Sequence, residues 1–591
     1  MNPTIARAYE LISAAKPEQA EAMLRRLVTG RTPDPHAAFA ISRALLACGK
    51  KDQALHFAGV ARRGLPDSVD AVLNEGGIAL AMGRPREAQA VYQAWDKRSP
   101  GHPEVRNALV VCAAEQDDFV HAERLALSTL SEHPRHLNLR ITYAKLLDDM
   151  ARGAECDASL RETCSLFPNV TEIACRSAFS AVAQDFVSPQ QLAAMHRQLG
   201  EKIERETIPH YAWPGRTFEP DRPLRIGFVS PDLRQHSVAY FLEPLLEHLD
   251  RTVLQPTCYS LSPTADAVTA RLRAISTNWR DAAAWSDEQL ALTVQRDAID
   301  VLVDLAGLSQ GARPALFARR PAPLQLTYLG YPHSTGLSRI DFRLVDSHTD
   351  PAGHEPLSTE RLLRLDPCFV CYRPPSNLPP ISPREPHAPV RFGSFNALHK
   401  LSDSCLALWA RVLDAVPASR LVLKGRAFSS TYARSLFAQR LTRLGLDPAR
   451  VDLIPRTPER DHLPSYHLMD IALDPFPYNG TTTTCEALAM GVPVLTLAGH
   501  HHPARVGVSL LHAVGLDHLV AHSPDHFVGI ASDLAGNLPH LAQLRMSLRD
   551  RLVTSALCDA KTFAQRWQST VRSAWHQRCA LFREPEKPAD G

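Results

Sequence analysis

The stretch from Asp470 to Gly499, DIALDPFPYNGTTTTCEALAMGVPVLTLAG, holds the densest set of side chains suited to chemistry. Asp470 to Pro475 reads as a strand end, Tyr478-Asn479-Gly480 as a turn, and Thr481 to Thr484 as the opening of a helix that carries Glu486. A helix N-terminus offers free N–H groups and the positive end of a dipole. Threonine hydroxyls cap it or bond phosphate oxygens, so Thr481, Thr482, Thr483 and Thr484 read as a diphosphate cradle, with Glu486 placed for ribose hydroxyls. The same residues also suit a strongly capped structural helix with a satisfied acid, and residue types alone leave both readings open. His236, in SPDLRQHSV, follows an apolar run and falls on a loop. An imidazole titrating near neutrality could take a proton from a hydroxyl or orient that hydroxyl, although one histidine among 26 is more often structural. Asp304, in VLVDLAG, is a second cleft-facing acid that could orient His236 or bind an acceptor. His500, His501 and His502 invite a metal, but consecutive loop residues point in different directions and no separated acid or cysteine completes a ligand set. They read as loop residues, one or two of them near a diphosphate. Cys368 and Cys371 form a lone CxxC with no second pair to make a zinc site.

These groups need a scaffold, and the hydrophobic pattern supplies one. PLRIGFVSPD, LQPTCYSL, IDVLVDLAG and LQLTYLGYP are short β-rich runs separated by helical stretches such as VAYFLEPLLEHLD, the alternation of a parallel sheet with crossover helices. A first Rossmann-like lobe over residues 222–372 is expected. The proline-dense segment 373–390 reads as an extended linker. Beyond it VRFGSFNA, SRLVLKG, VDLIP, MDIALDPFP and VPVLTLAG restart the pattern, predicting a second lobe over 391–580 and a flexible tail over 581–591. Two such lobes form a cleft between the carboxyl ends of their strands.

The N-terminal third has another period. Pro66, Pro100, Pro134 and Pro168 are 34 residues apart, as are Ala20, Ala54, Ala88 and Ala122, and Gly49 and Gly83 fall in register. A small residue lets the second helix of a pair approach the first, glycine turns the chain, and proline ends the second helix. This resembles a tetratricopeptide-repeat solenoid over residues 1–205, with a degenerate last repeat and Cys156 at the fifth alanine position. Such an array is either a scaffold or a groove for an extended polypeptide.

With RIGFVSPDLRQHSVAYFLEPLL, GARPALFARRPAPLQLTYLGYPHSTG, FGSFNALHKLSD and HHPARVGVSLLHAVGL in order around the threonine-rich segment, the chain resembles the O-GlcNAc transferase and SPINDLY family of protein O-glycosyltransferases. The Gly-Thr-Thr-Thr-Thr-Cys-Glu form and the short linker are similar to the SPINDLY type. The resemblance implies a glycosyltransferase B fold, in which His236 assists the acceptor and Lys400 neutralises the departing diphosphate. It also implies that Asn396 and His462 lie at the donor and that backbone groups around Thr457 and Pro458 read the base. UDP-GlcNAc is the family default donor and GDP-fucose the SPINDLY one. No cofactor or metal is expected, since the chain has no Asp-X-Asp sequence. Ala397, Leu308 and His333 depart from the family's usual residues.

Composition narrows the alternatives. With 591 residues, three to five cores are expected, and 65 Lys+Arg against 63 Asp+Glu leave a charge of +2, too little for a nucleic-acid binder. No apolar run spans a membrane and the N-terminus lacks signal-peptide features, so a soluble cytoplasmic protein is expected, its 12 scattered cysteines reduced. The expectation is therefore an inverting, metal-independent transferase that moves a sugar from a nucleotide to Ser or Thr of a polypeptide held by the repeats, with a homodimer through the repeats as a further option. Its alternatives are an Asn-directed glucosyltransferase and a non-enzymatic repeat scaffold with a vestigial transferase region.

Overall fold

The structure, a computed structural model, describes residues 2–13, 16–29, 33–210, 212–213, 216–385 and 388–583. The chain divides into two compact units, Met1–Pro168 with Ser429–Ser435, and Asn169–Phe428 with Leu436–Gly591.

The first unit is built of helix pairs: Pro3–Ser13 with Pro17–Val28, Pro35–Ala47 with Lys51–Gly64, Val69–Ala81 with Pro85–Arg98, Pro103–Glu115 with Phe119–Glu132, and Leu137–Asp149 with Gly153–Leu166. Pro66, Pro100, Pro134 and Pro168 each sit in a turn two residues past the end of a second helix. Ala20, Ala54, Ala88 and Ala122 are fully buried, where only a methyl group fits between closely approaching helices. The turns inside the pairs use the left-handed backbone region at Gly49 (φ 74°) and Gly83 (φ 70°). The same geometry recurs with the same period at Asp117 (φ 58°) and Ala151 (φ 62°), although these residues carry a Cβ that opposes it.

A sixth pair, Thr171–Ala181 with Pro189–Arg205, continues the helical pattern to residue 205 as the period suggests, yet it belongs to the second unit. Its apolar face is the reason. Leu192, Leu199 and Ile203 share one core with Leu316, Phe317 and Leu337 of the first lobe. Gly200 lies so close to the Gly336 backbone that a Cβ on it would overlap the Gly336 carbonyl. Buried His196 is held at 2.6 Å to the Tyr331 hydroxyl through Nε2.

The first lobe carries a parallel sheet of β1 (Leu224–Ser230), β2 (Leu254–Ser260), β3 (Asn278–Asp281), β4 (Val301–Asp304), β5 (Leu324–Thr327), β6 (Phe342–Val345) and β7 (Arg361–Arg364). Its order is β3-β2-β1-β4-β5-β6-β7. The second lobe repeats the scheme with β8 (Arg391–Ser394), β9 (Arg420–Lys424), β10 (Val451–Ile454), β11 (Ile471–Leu473), β12 (Val494–Leu497) and β13 (Val520–Ala521), ordered β10-β9-β8-β11-β12-β13. Apolar runs mark the central strands, which are covered on both faces. The mostly exposed β3 buries too little to stand out in a pattern search, and β13, though buried, is only two residues long. Each sheet reverses its order once, between β1 and β4 and between β8 and β11, and a doubly wound sheet opens a ligand crevice at that point.

Residues 373–385 and 388–390 contain neither helix nor strand. The assignment of everything from 391 to 580 to the second lobe needs correction. Helix Ala560–Arg583 crosses back to the first lobe, where Trp567 packs 5.8 Å from the Phe228 ring and the Trp575 indole donates to the Glu219 carbonyl. Two fully buried indoles on one face give that helix more apolar surface than its own lobe covers. The expected tail from 581 is helical up to Arg583, and residues 584–591 lie outside the described residues. Among the described residues no helix is long and apolar enough to cross a membrane.

Candidate active site

Within the second unit a cleft of about 730 Å³ is lined from both lobes, with Phe179 of the last helix pair at its rim. The loop after β1 brings Asp232 and His236, the segment after β8 brings Asn396, Ala397 and Lys400, and the loop after β11 brings Tyr478 and Thr481 to Thr483. These three segments follow the strands at which the two sheets reverse.

His236 caps helix Ser237–His248, its Nδ1 accepting the Val238 N–H at 3.3 Å. With Nδ1 committed as an acceptor, the neutral ring carries its proton on Nε2, which lies 3.7 Å from an Asp232 carboxylate oxygen. Burial lowers the His236 pKa against the opposing pull of Asp232, and burial raises that of Asp232. His236 therefore faces the cleft as a hydrogen-bond donor. Asp304 does not join it. Its carboxylate is buried and spent on the Ala306 and Gly307 N–H groups and the Thr327 hydroxyl at 2.9–3.0 Å, closing the loop after β4. The expectation that it orients His236 or meets an acceptor is corrected on that ground.

Lys400 sits in the single turn Leu398–Lys400, its ammonium donating to the Asn479 carbonyl at 2.8 Å and lying 3.7 Å from the centre of the Tyr478 ring. Burial brings its pKa down to about 8, partly offset by Asp474. Asp474 at the end of β11 ties the loop together, accepting from the Gly480 N–H at 2.7 Å and the Thr496 hydroxyl at 2.9 Å, and burial pushes its carboxyl up to about 7. A cation is thus held against the turn that opens helix Thr482–Ala489.

The four threonines divide in role. Thr481 precedes the helix without capping it through its side chain, contrary to a hydroxyl-cap reading. Thr483 donates to Asn396 Oδ1 at 2.9 Å, and Thr484 donates to the Gly480 carbonyl at 3.2 Å and lies outside the cleft lining. The hydroxyls of Thr481 and Thr482 and the backbone N–H groups of the first turn are what the helix offers to an anion. Asn396 binds the helix start to β8 rather than projecting freely.

Glu486, one turn further on, accepts from His462 Nε2 and from the Tyr466 hydroxyl, both at 2.9 Å. His462 Nδ1 in turn faces the Lys424 ammonium at 2.9 Å. An ammonium can only donate, so the imidazole accepts on Nδ1 and donates from Nε2, fixing one tautomer. Lys424 ends β9, stands 4.1 Å from the Phe395 ring, and is brought down to about 8 by burial. It was not singled out from the sequence. A lysine closing an apolar strand immediately before glycine, LVLKG, is the signal that could have found it. Thr457 and Pro458 lead into helix Glu459–His462, the Thr457 hydroxyl 3.5 Å from that of Ser465, and Gln235 of the first lobe meets Glu459 there.

Of the three consecutive histidines, His500 is exposed, while His501 and His502 are buried and His502 lines the cleft. Among the described residues no group of three His, Cys, Asp or Glu is arranged to hold a metal ion. Cys368 and Cys371 are buried with thiols pushed up to about 12 by burial, the reverse of what a zinc ligand or redox pair needs.

The model of glycosyl transferase family 41 matches residues 184–371 and 383–567, a region that holds both parallel sheets and the cleft lining apart from Phe179. The chain belongs to glycosyl transferase family 41. Among similar proteins, SPINDLY of Arabidopsis thaliana is 42% identical over 396 residues, 66% of this chain and 43% of its own length. SEC of the same plant is 28% identical over 370 residues, 60% of this chain and 38% of its own. The chain therefore spans less than half the length of these curated relatives. A mutant of the Thermobaculum terrenum O-GlcNAc transferase has a solved structure that aligns with a TM-score of 0.81 and 32% identity, over 87% of this chain and 98% of that one. The family 41 region begins within the sixth helix pair, which accords with that pair sharing the first lobe's core.

Proposed function

We propose that the cleft transfers a sugar from a nucleotide diphosphate donor to a Ser or Thr hydroxyl of a polypeptide, inverting the anomeric carbon and using no metal. One observation carries this reading: the Lys400 ammonium is bonded to the turn whose next residues open helix Thr482–Ala489, so a side-chain cation and a helix N-terminus share one wall of the cleft. Negative charge grows on the diphosphate as the glycosidic bond breaks. A fixed ammonium and oriented N–H groups stabilise that charge most in the transition state and do the work a metal does elsewhere. His236 approaches from the other lobe as a donor, suited to orienting an acceptor or a donor oxygen rather than to taking a proton.

Glu486, positioned by His462 and Tyr466, keeps one oxygen without a hydrogen bond to the described residues, in keeping with a ribose contact. The names of the SPINDLY and SEC relatives give UDP-N-acetylglucosamine as donor and a peptide as acceptor, which makes that donor the first to test and GDP-fucose the second. Thermal shift with UDP-GlcNAc, UDP-glucose and GDP-fucose, followed by mass spectrometry of a modified polypeptide, is the experiment. Stabilisation by one donor and label on Ser or Thr is the expected result. Label on Asn would replace the acceptor, and no stabilisation by any donor would refute the transferase reading in favour of a scaffold.

A further inference from the structure

Beside the cleft lies a pair of residues that the reading above does not use. Asp350, in the loop between β6 and β7 of the first lobe, and His502, in the loop after β12 of the second, meet with Asp350 Oδ2 2.5 Å from His502 Nδ1. Both are about 95% or more buried, with 3% and 5% exposure. Arg343 of β6 stands behind the carboxylate at 3.6 Å, and the Phe369 ring meets the imidazole edge-on at 5.1 Å. Burial pushes the Asp350 carboxyl up, but the Arg343 guanidinium and the hydrogen bond from His502 outweigh it and hold the group well below the usual carboxylate range. An ionised carboxylate cannot donate, so the hydrogen in this contact comes from the His502 Nδ1–H.

That choice determines what the other nitrogen offers. Burial and Arg343 keep the imidazole neutral against the pull of Asp350, so Nε2 carries a lone pair and no proton. Nε2 makes no hydrogen bond to the described residues and belongs to a residue that lines the cleft. It is thus the complement of His236, whose Nε2 donates. Its place along the cleft is also defined. The neighbouring Pro503 carbonyl accepts the Asn479 N–H at 2.8 Å, and the Asn479 carbonyl accepts the Lys400 ammonium. His502 therefore stands one residue from the loop that holds the leaving-group cation.

We propose that His502, held in one tautomer by Asp350, accepts a hydrogen bond from a hydroxyl of the hexose being transferred, and so selects and orients the sugar beside its diphosphate. The inference rests on the nucleotide-sugar reading. Asp350 acts as a positioning residue: without its charge the ring can turn its proton to Nε2 and lose the acceptor. Because the two residues come from different lobes, the sugar site is complete only while the lobes are held together.

The test uses His502→Leu, His502→Gln and Asp350→Asn in the full chain, with the donor that the wild-type protein turns over and with UDP and GDP as sugar-free probes. His502→Leu is expected to lower kcat/KM for the nucleotide sugar by about tenfold to a hundredfold, the range for one lost hydrogen bond to a buried polar group. Binding of the nucleoside diphosphate should stay within about twofold. His502→Gln, whose amide oxygen can reach the Nε2 position, should recover part of the loss, and Asp350→Asn should lose activity without losing diphosphate binding. Unchanged turnover in His502→Leu would overturn the proposal. So would an equal loss of diphosphate and sugar-nucleotide binding in both His502 variants, because the loop would then be structural. A wild-type protein that binds UDP or GDP but no nucleotide sugar would sink the transferase reading itself, and this inference with it.

Discussion

Replacing Lys400 by methionine should stabilise the unliganded protein and abolish transfer. In the folded chain the ammonium is brought from the lysine value of 10.5 to about 8. Holding it charged at pH 7 therefore costs roughly 3 kcal/mol, an upper bound because the group is only partly sealed from solvent. Methionine keeps the stem packed against Tyr478 but leaves the Asn479 carbonyl without its 2.8 Å donor, a loss of about 1–2 kcal/mol. The balance is a net gain of about 1 kcal/mol in the apo protein at neutral pH, seen as a higher melting temperature. Turnover should fall by about 10²–10³ or more, the cost of removing one preorganised group that meets developing charge.

The pH dependence has a definite sign. Between about 8 and 10.5 the unfolded lysine binds a proton that the folded one has released, so wild-type stability rises with pH across that window and the penalty is fully present below it. Asp474, pushed up to about 7, titrates below that window. Methionine at 400 should remove the rise. Thermal melts of both proteins at pH 7 and pH 10, with steady-state transfer assays, check the reasoning. A destabilised variant at pH 7, or one that keeps wild-type turnover, would refute it.

Three further outcomes follow from the same geometry. Lys424→Met should release His462 from its fixed tautomer and weaken donor binding by about tenfold, measured by calorimetry. Ala151→Gly and Asp117→Gly, at left-handed turn positions that glycine fills in the preceding repeats, should each stabilise the first unit by about 0.5–1 kcal/mol in denaturant unfolding; Gly83→Ala should do the reverse. Gly200→Ala, which drives a methyl group into the Gly336 carbonyl, should destabilise the second unit by at least about 2 kcal/mol and reduce transfer activity with it.

Much of the architecture is legible because it depends on local periodicity. The 34-residue spacing of prolines and alanines reappears as turns and buried contacts, and apolar runs bounded by turn residues become β1, β2, β4, β5 and β8 to β12. The unit boundary at Pro168 and the return of helix Ala560–Arg583 to the first lobe were not legible, because both depend on which distant apolar surface a helix face meets.

The site divides along the same line. From the sequence, the strand ends put His236 and the Thr481 helix opening on loops that a doubly wound pattern sends to one edge, while Lys400 and Asn396 come from the family resemblance. Tertiary structure alone assigns what each polar atom still has to give. It spends Asp304 on its own loop, joins Lys424, His462 and Glu486 into one hydrogen-bonded chain, and sets Asp350 behind His502 across the two lobes. Residue types state which hydrogen bonds a side chain can make. Which of them are already made, and so which proton or lone pair faces the cleft, is decided by neighbours far apart in the chain.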